Sequence, residues 1–205
     1  ITETKPIKIH RVNCKIDWNR RLDGMQQHLG QHILSGCFFN LFNANTVSVH
    51  VGKEISTVDI QGYLDEETIR KAEKMANEII QENIKVEFLI PAKKDLKKLN
   101  LRRDLPNTNE QIRIVKIGDL DINACCGVHP SRTLDVQAIK IKRWEKHKGA
   151  TRIEYLAGKR AINDYFKKDE FRNRICRFLN CGEDDAINSI NKLSDDLKKL
   201  LDENR

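Results

Sequence analysis

Two pairs of residues, each spaced by four, carry the first recognisable chemistry in this chain. His28 and His32 lie in a run whose apolar residues Leu22, Met25, Leu29, Ile33 and Cys37 recur at threes and fours, the spacing of one helical face. Side chains at i and i+4 of a helix project to the same side, so both imidazoles can reach one ion. Cys125 and His129 are also four apart, in Cys125-Cys126-Gly127-Val128-His129-Pro130. Three imidazoles and a thiolate make a tetrahedral nitrogen and sulfur donor set, the kind zinc takes. Gly127 in the spacer would let the loop fold its two donors onto one ion. Spacing alone leaves Cys126, three residues before His129, open as the sulfur donor, and a helical histidine pair is also an ordinary surface feature.

The elements that must position these residues follow from periodicity. A helix is expected over 20–42, then two strands over 46–51 and 55–61 joined at Gly52-Lys53. Asp65 reads as the N-cap of a second helix with Glu66 and Glu67 in its first turn and Ile69, Ala72, Met75, Ala76 and Ile79 on its apolar face. Strands are expected over 84–90, stopped by Pro91, and over 112–117, after Pro106. A loop over 119–132 carries the second donor pair. A further strand runs from about Val136 to Trp144, turns at His147-Lys148-Gly149 and returns over 150–156. From Lys159 the pattern becomes helical, first with Ile162, Phe166, Phe171, Ile175 and Phe178, then, after Gly182, with Ile187, Ile190, Leu193, Leu197 and Leu200. Short turns between strands favour an α+β fold, a mostly antiparallel sheet with packed helices, followed by a helical tail.

Lys and Arg outnumber Asp and Glu by 37 to 30 over 205 residues, a net charge of +7 that favours a polyanionic partner. The densest basic stretch, Lys93, Lys94, Lys97, Lys98, Arg102 and Arg103, suits the phosphates of an RNA backbone or forms a solvated face. Trp144 with Arg143, Lys146 and Lys148 offers a second such patch, unless the Trp is a core residue. Six cysteines, Cys14, Cys37, Cys125, Cys126, Cys176 and Cys181, are too sparse for a disulfide scaffold and read as reduced thiols of a cytoplasmic protein. No apolar run approaches the roughly 20 residues of a membrane span.

The run from Trp18 through Met25-Gln26-Gln27-His28-Leu29-Gly30-Gln31-His32 to Gly36 resembles the first signature of the alanyl-tRNA synthetase editing domain, in the form of its AlaX-related branch. The run Asp121-Ile122-Asn123-Ala124-Cys125-Cys126-Gly127-Val128-His129, with Thr133 beyond it, resembles the second, Cys-Gly-Gly-Thr-His followed by Thr. The resemblance spans about Asp17 to Leu156 and implies the synthetase second-additional-domain fold. It also implies a zinc cofactor, with His28, His32, Cys125 and His129 as ligands; register with the family selects Cys125 over Cys126. Gly158 to Tyr165 resembles the segment leading into the family's DHH-associated C-terminal domain. The chain is therefore expected to be part of a longer protein. Residues 1–157 would be the editing domain, with 1–19 a lead-in from a small N-terminal β-domain, and 158–205 the start of a helical connection.

The resemblance implies hydrolysis of mischarged aminoacyl-tRNA, Ser- or Gly-tRNA on the alanine acceptor, in trans. Leu29, Cys126 and Val128 depart from the family pattern and, with Gln31 and Gly127, would border the aminoacyl group, so substrate preference is where this chain would differ. His50, in the first hairpin, is a candidate for a separate catalytic group or an ordinary strand histidine. Two other readings stay open: a zinc-stabilised RNA-binding module without turnover, and a metallohydrolase of another ester. The leucines of the tail suit a homodimer through the C-terminal helices or docking within a longer chain.

Overall fold

The computed structural model describes residues 13–96, 98–105, 108 and 110–204; Lys97, Pro106 and the lead-in residues Ile7, Ile9 and Val12 lie outside the described residues. Helix α1 (Trp18–Phe42) begins where the Asp17 carboxylate accepts the Arg20 N–H at 3.1 Å and ends at Asn43, left-handed at φ 52°. Both ends follow from side-chain chemistry: a short carboxylate satisfies an orphan N–H, and Asn tolerates the left-handed cap. The stripe Leu29, Ile33 and Cys37 is fully buried, joined by Leu34 and Phe38. Helix α2 (Glu66–Gln81) starts as expected, with Asp65 accepting the Thr68 N–H at 2.8 Å, and buries Ile69, Ala72, Ala76, Ile79 and Ile80 against α1 and the sheet.

The strands form two sheets rather than one. Strands β1 (Thr46–Val51), β2 (Ser56–Gln61), β6 (Ile139–His147) and β7 (Ala150–Ala157) make a four-stranded antiparallel sheet in the order β1-β2-β7-β6. Lys148 and Gly149, both with positive φ, form the tight turn between β6 and β7. Strands β3 (Val86–Leu89), β4 (Ile114–Ile117) and β5 (Asp121–Ala124) make a second, three-stranded antiparallel sheet, and the four-residue helix α3 (Lys93–Leu96) sits between β3 and β4. Strand β5 falls inside the expected loop. Its alternation is inverted, with Asp121 and Asn123 buried and Ile122 half-buried, so a hydrophobic pattern could not reveal it.

The contact that brings the two halves of the site together is polar and close. A side chain at Gly36 would place its Cβ 2.8 Å from Leu120 Cγ and 2.9 Å from Leu120 O, so the absence of one lets α1 lie directly on the turn before β5. Asn40 Nδ2 donates to that same carbonyl at 2.9 Å. Two glutamines of α1 fix the end of β7 and the turn before β6. Gln27 pairs with the Ala157 backbone through both amide atoms (Nε2 to O 2.7 Å, N to Oε1 3.0 Å), and Gln26 donates to Asp135 O at 2.9 Å.

The tail is two helices, α4 (Lys159–Leu179) and α5 (Ala186–Glu203). Arg160 ties α4 to α1 through a two-bond pair with Asp23, and Lys142 of β6 reaches Asp164 at 2.6 Å. Only Ala161 of α4 is buried and no residue of α5 is; Phe166, Phe171, Phe178, Leu193 and Leu197 remain open.

Candidate metal centre

His28 and His32 project from α1 toward the loop that follows β5, and one ligating atom from each of His28, His32, Cys125 and His129 falls within 4.8 Å of the others. Cys125 Sγ stands 3.6 Å from His28 Nε2 and 3.7 Å from His129 Nε2. For a tetrahedron with Zn–S about 2.3 Å and Zn–N about 2.0–2.1 Å, sulfur and nitrogen stand about 3.6 Å apart. The donor types and their separations therefore fit zinc. The sulfur in the set belongs to Cys125; Cys126 is exposed.

His32 Nδ1 is bound to Asp121 Oδ2 at 2.7 Å, which leaves its Nε2 for an ion. This carboxylate behind the imidazole fixes ring orientation and tautomer in metal sites generally. Asp121 also accepts from Arg102 Nε at 2.7 Å, and Arg102 Nη1 donates to Thr46 Oγ1 at 3.1 Å. Burial works against ionising Asp121, yet His32 and Arg102 hold its carboxyl below the ordinary range. Burial likewise opposes a charged His32, but hydrogen bonds to Asp121 and Cys125 raise it to about 9. The Cys125 thiol is disfavoured as a thiolate by burial, and the three imidazoles outweigh that and bring it down to about 3. Cys125 is thus ready to bind a cation at neutral pH.

Gly127 has a different reason from flexibility. Its φ lies outside the left-handed region, but a Cβ there would stand 2.0 Å from His28 Cε1 and 2.4 Å from its Nδ1. The loop backbone packs flat on the imidazole. Beyond His129, Thr133 is fully buried and anchors the loop to the end of α2, its Oγ1 donating to Ile79 O and accepting the Ile84 N–H, both at 2.9 Å.

A cleft of about 420 Å³ opens onto three residues of the cluster, His28, His32 and Cys125, between α1, β1 and β5, with Gln31, Asn123, Val49, Val51 and Arg103 on its walls. A second depression of about 590 Å³ lies on the other side of His28 and includes Val128. Several expected site residues fall elsewhere. Leu29 does not border the cleft: one residue on from His28 is about 100° round the helix, which turns it into the core with no exposure. His50 alternates with Val49 and Val51 on β1 and so points to the face away from the cleft. Arg102 is not a surface contact, since its side chain is 4 % exposed and committed to Asp121. Arg103, Lys94 and Lys98 are exposed, Lys98 beside Asp95 at 3.1 Å. Trp144 is half-buried against the core, its ring covered by the Arg70 guanidinium at 5.0 Å, so it offers no open stacking face. Asp121, Gln26, Gln27 and Arg113 are positioning residues that spacing does not announce; the first three stand in the two signature runs, where their types are visible in the sequence but their partners are not.

Fold and constellation together define an α+β module with a cluster of three histidines and one cysteine that could hold a metal ion. Residues 112–154 match the family described as the threonyl and alanyl tRNA synthetase second additional domain. Over 197 residues, 94% of this chain and 44% of the relative, the sequence is 32% identical to alanyl-tRNA editing protein Aarsd1 of Bos taurus. Over 163 residues, 77% of this chain and 40% of the relative, it is 34% identical to alanyl-tRNA editing protein AlaX-L of Pyrococcus horikoshii. An alanine–tRNA ligase of Hyperthermus butylicus is 31% identical over 90% of this chain and 21% of its own length. The chain spans less than half the length of each of these relatives. Over most of its own length it is similar to the AlaX-type alanyl-tRNA editing proteins, and it carries the second-additional-domain match within that span.

Proposed function

We propose that this protein hydrolyses, in trans, aminoacyl-tRNA in which serine or glycine is esterified to the alanine acceptor, at a zinc ion held by His28, His32, Cys125 and His129. The observation that carries this reading is the donor set at the floor of an open cleft. The names of the relatives, alanyl-tRNA editing proteins, supply the substrate class. When bound, zinc supplies a Lewis-acid pole for the ester carbonyl or the substrate amine. The protein's own groups do the rest. Asp121 holds His32 in the tautomer that leaves Nε2 free, and Arg102 holds Asp121. Val49 and Val51 give the cleft a dry wall, and Gln31 and Asn123 give it polar groups for the aminoacyl end. Cys126, Gly127 and Val128, in the loop between Cys125 and His129, border the aminoacyl group from the side of the second depression, which Val128 lines. Arg103 at the mouth, together with the basic residues Lys93, Lys94, Lys97 and Lys98 of the same stretch of sequence, meets the tRNA backbone without reading sequence.

In this reading residues 1–157 are the editing module and 158–205 a helical segment whose exposed apolar stripe pairs with a second copy. The protein works in the cytoplasm, and no helix among the described residues is long and apolar enough to cross a membrane. One observation favours a second reading, a zinc-stabilised RNA-binding module without turnover: four protein ligands complete a tetrahedron and leave no position open for water. Deacylation of Ser-, Gly- and Ala-tRNA, all on the alanine acceptor, separates the two. Release of serine or glycine at least about tenfold faster than alanine is expected, a gap of about 1.4 kcal/mol in barrier. If folded, zinc-loaded protein cleaves none of the three, the second reading holds; equal cleavage of all three refutes the selectivity.

A further inference from the structure

Resting on the metal-centre reading, we infer that Arg113 is the positioning residue of the Cys125–His129 loop and, through Phe88, of the His129 ring. The two buried histidines of the set are oriented by different means. His32 is fixed by the Asp121 carboxylate. His129 has a buried Nδ1 with no partner among the described residues, so no hydrogen bond there sets its ring. Besides the rings of His28 and His32, at 4.4 and 4.9 Å between centroids, that ring meets Phe88, stacked at 6.0 Å between centroids and 29° between planes. The other neighbour of Phe88 is the Arg113 guanidinium, 5.5 Å from the ring centroid. Cation, phenyl ring and imidazole form one stack that ends on a ligand.

The same guanidinium grips the loop from behind. Arg113 Nε donates to Cys125 O at 2.9 Å, and Nη2 donates to Gly127 O. The Cys125 N–H in turn donates to Arg113 O at 3.0 Å, which carries the pairing of β4 with β5 one residue further, up to the sulfur ligand. Between those two carbonyls the chain must turn to lay Gly127 on His28, and a planar fork with several fixed N–H directions can hold both ends of that turn. Lysine cannot: its point charge carries no two donors at fixed separation. Arg113 thus bears on three of the four residues, Cys125 and His28 through the loop backbone and His129 through Phe88, while touching the side chain of none of them.

The test uses the full chain as Arg113→Met, which keeps the length of the stem, and Arg113→Lys, which keeps the charge. Zinc affinity is read by chelator competition, and the visible spectrum of the cobalt(II)-loaded protein reports ligand geometry, which a merely structural arginine would leave alone. Arg113→Met is expected to bind zinc about 10–100-fold more weakly, as for loss of other outer partners of metal ligands, with an altered cobalt spectrum. Arg113→Lys should lie nearer the Met variant than the parent. If the Met variant does not fold, the Lys variant decides alone. Parent-like zinc affinity and cobalt spectrum in a folded variant overturn the role of Arg113. A parent protein that takes up neither metal overturns the centre itself, a result distinguishable from the first.

Discussion

Asp121→Asn is expected to fold and to hold zinc about 10–100-fold more weakly than the parent. The Asp121 carboxylate is fully enclosed, accepting from His32 Nδ1 on one oxygen and Arg102 Nε on the other, both at 2.7 Å. An asparagine there has one acceptor and one donor end. If its oxygen stays with Arg102, its NH₂ faces His32 and forces Nδ1 to accept, which moves the imidazole proton to Nε2, where the ion must bind. If the amide turns over, two donors meet at Arg102 instead. Asp121→Ala differs in kind: it leaves the Arg102 guanidinium, 4 % exposed, without its carboxylate, a loss of about 3–5 kcal/mol readable by denaturant unfolding. Because His32 and Arg102 hold the Asp121 carboxyl below its ordinary value, its contribution is complete above the unfolded pKa of about 3.9 and disappears as pH falls through the lower folded value. An Asn variant with parent zinc affinity would show that His32 is not oriented through this carboxylate.

Gly127→Ala is expected to abolish stoichiometric zinc binding, with an affinity loss beyond about 100-fold, the upper end for an outer partner, because a ligand itself is displaced. The new Cβ would sit 2.0 Å from His28 Cε1, far inside contact distance, and either the imidazole swings off or the loop lifts and takes Cys125 with it. The backbone conformation itself suits alanine, since φ at Gly127 lies outside the left-handed region. The fold should therefore survive: the loop is anchored independently by Thr133 and by the ladder into β5. Equilibrium dialysis with circular dichroism on the same samples reads both. Full zinc occupancy in the Ala variant would mean that the loop stands off His28.

What could be read from the sequence was whatever is encoded locally. The His28–His32 pair and its helix are a matter of spacing within one element, and Asp65 announces its helix by its own capping bond, so both were legible. The pairing of His32 with Asp121 spans 89 residues, and that of Gln27 with Ala157 spans 130; no local pattern carries such contacts. Residue type also misled where burial decides. Arg102 counted as one charge in a basic run, although it is enclosed beside Asp121, and Leu29, next to His28 in sequence, faces the core. Strand β5 was hidden because its inward side chains are Asp121 and Asn123, the reverse of the pattern that marks a strand. The division into two sheets rests on pairings between distant segments, which alternation within a strand does not encode.

The most direct test of the central claim is to follow serine release from Ser-tRNA on the alanine acceptor as zinc is stripped with a chelator and restored, with zinc content and folding measured on the same samples. The account predicts a rate proportional to the fraction of chains holding one zinc, lost on stripping and regained on reloading, and absent from folded Cys125→Ala. Undiminished release from folded, zinc-stripped protein would contradict it.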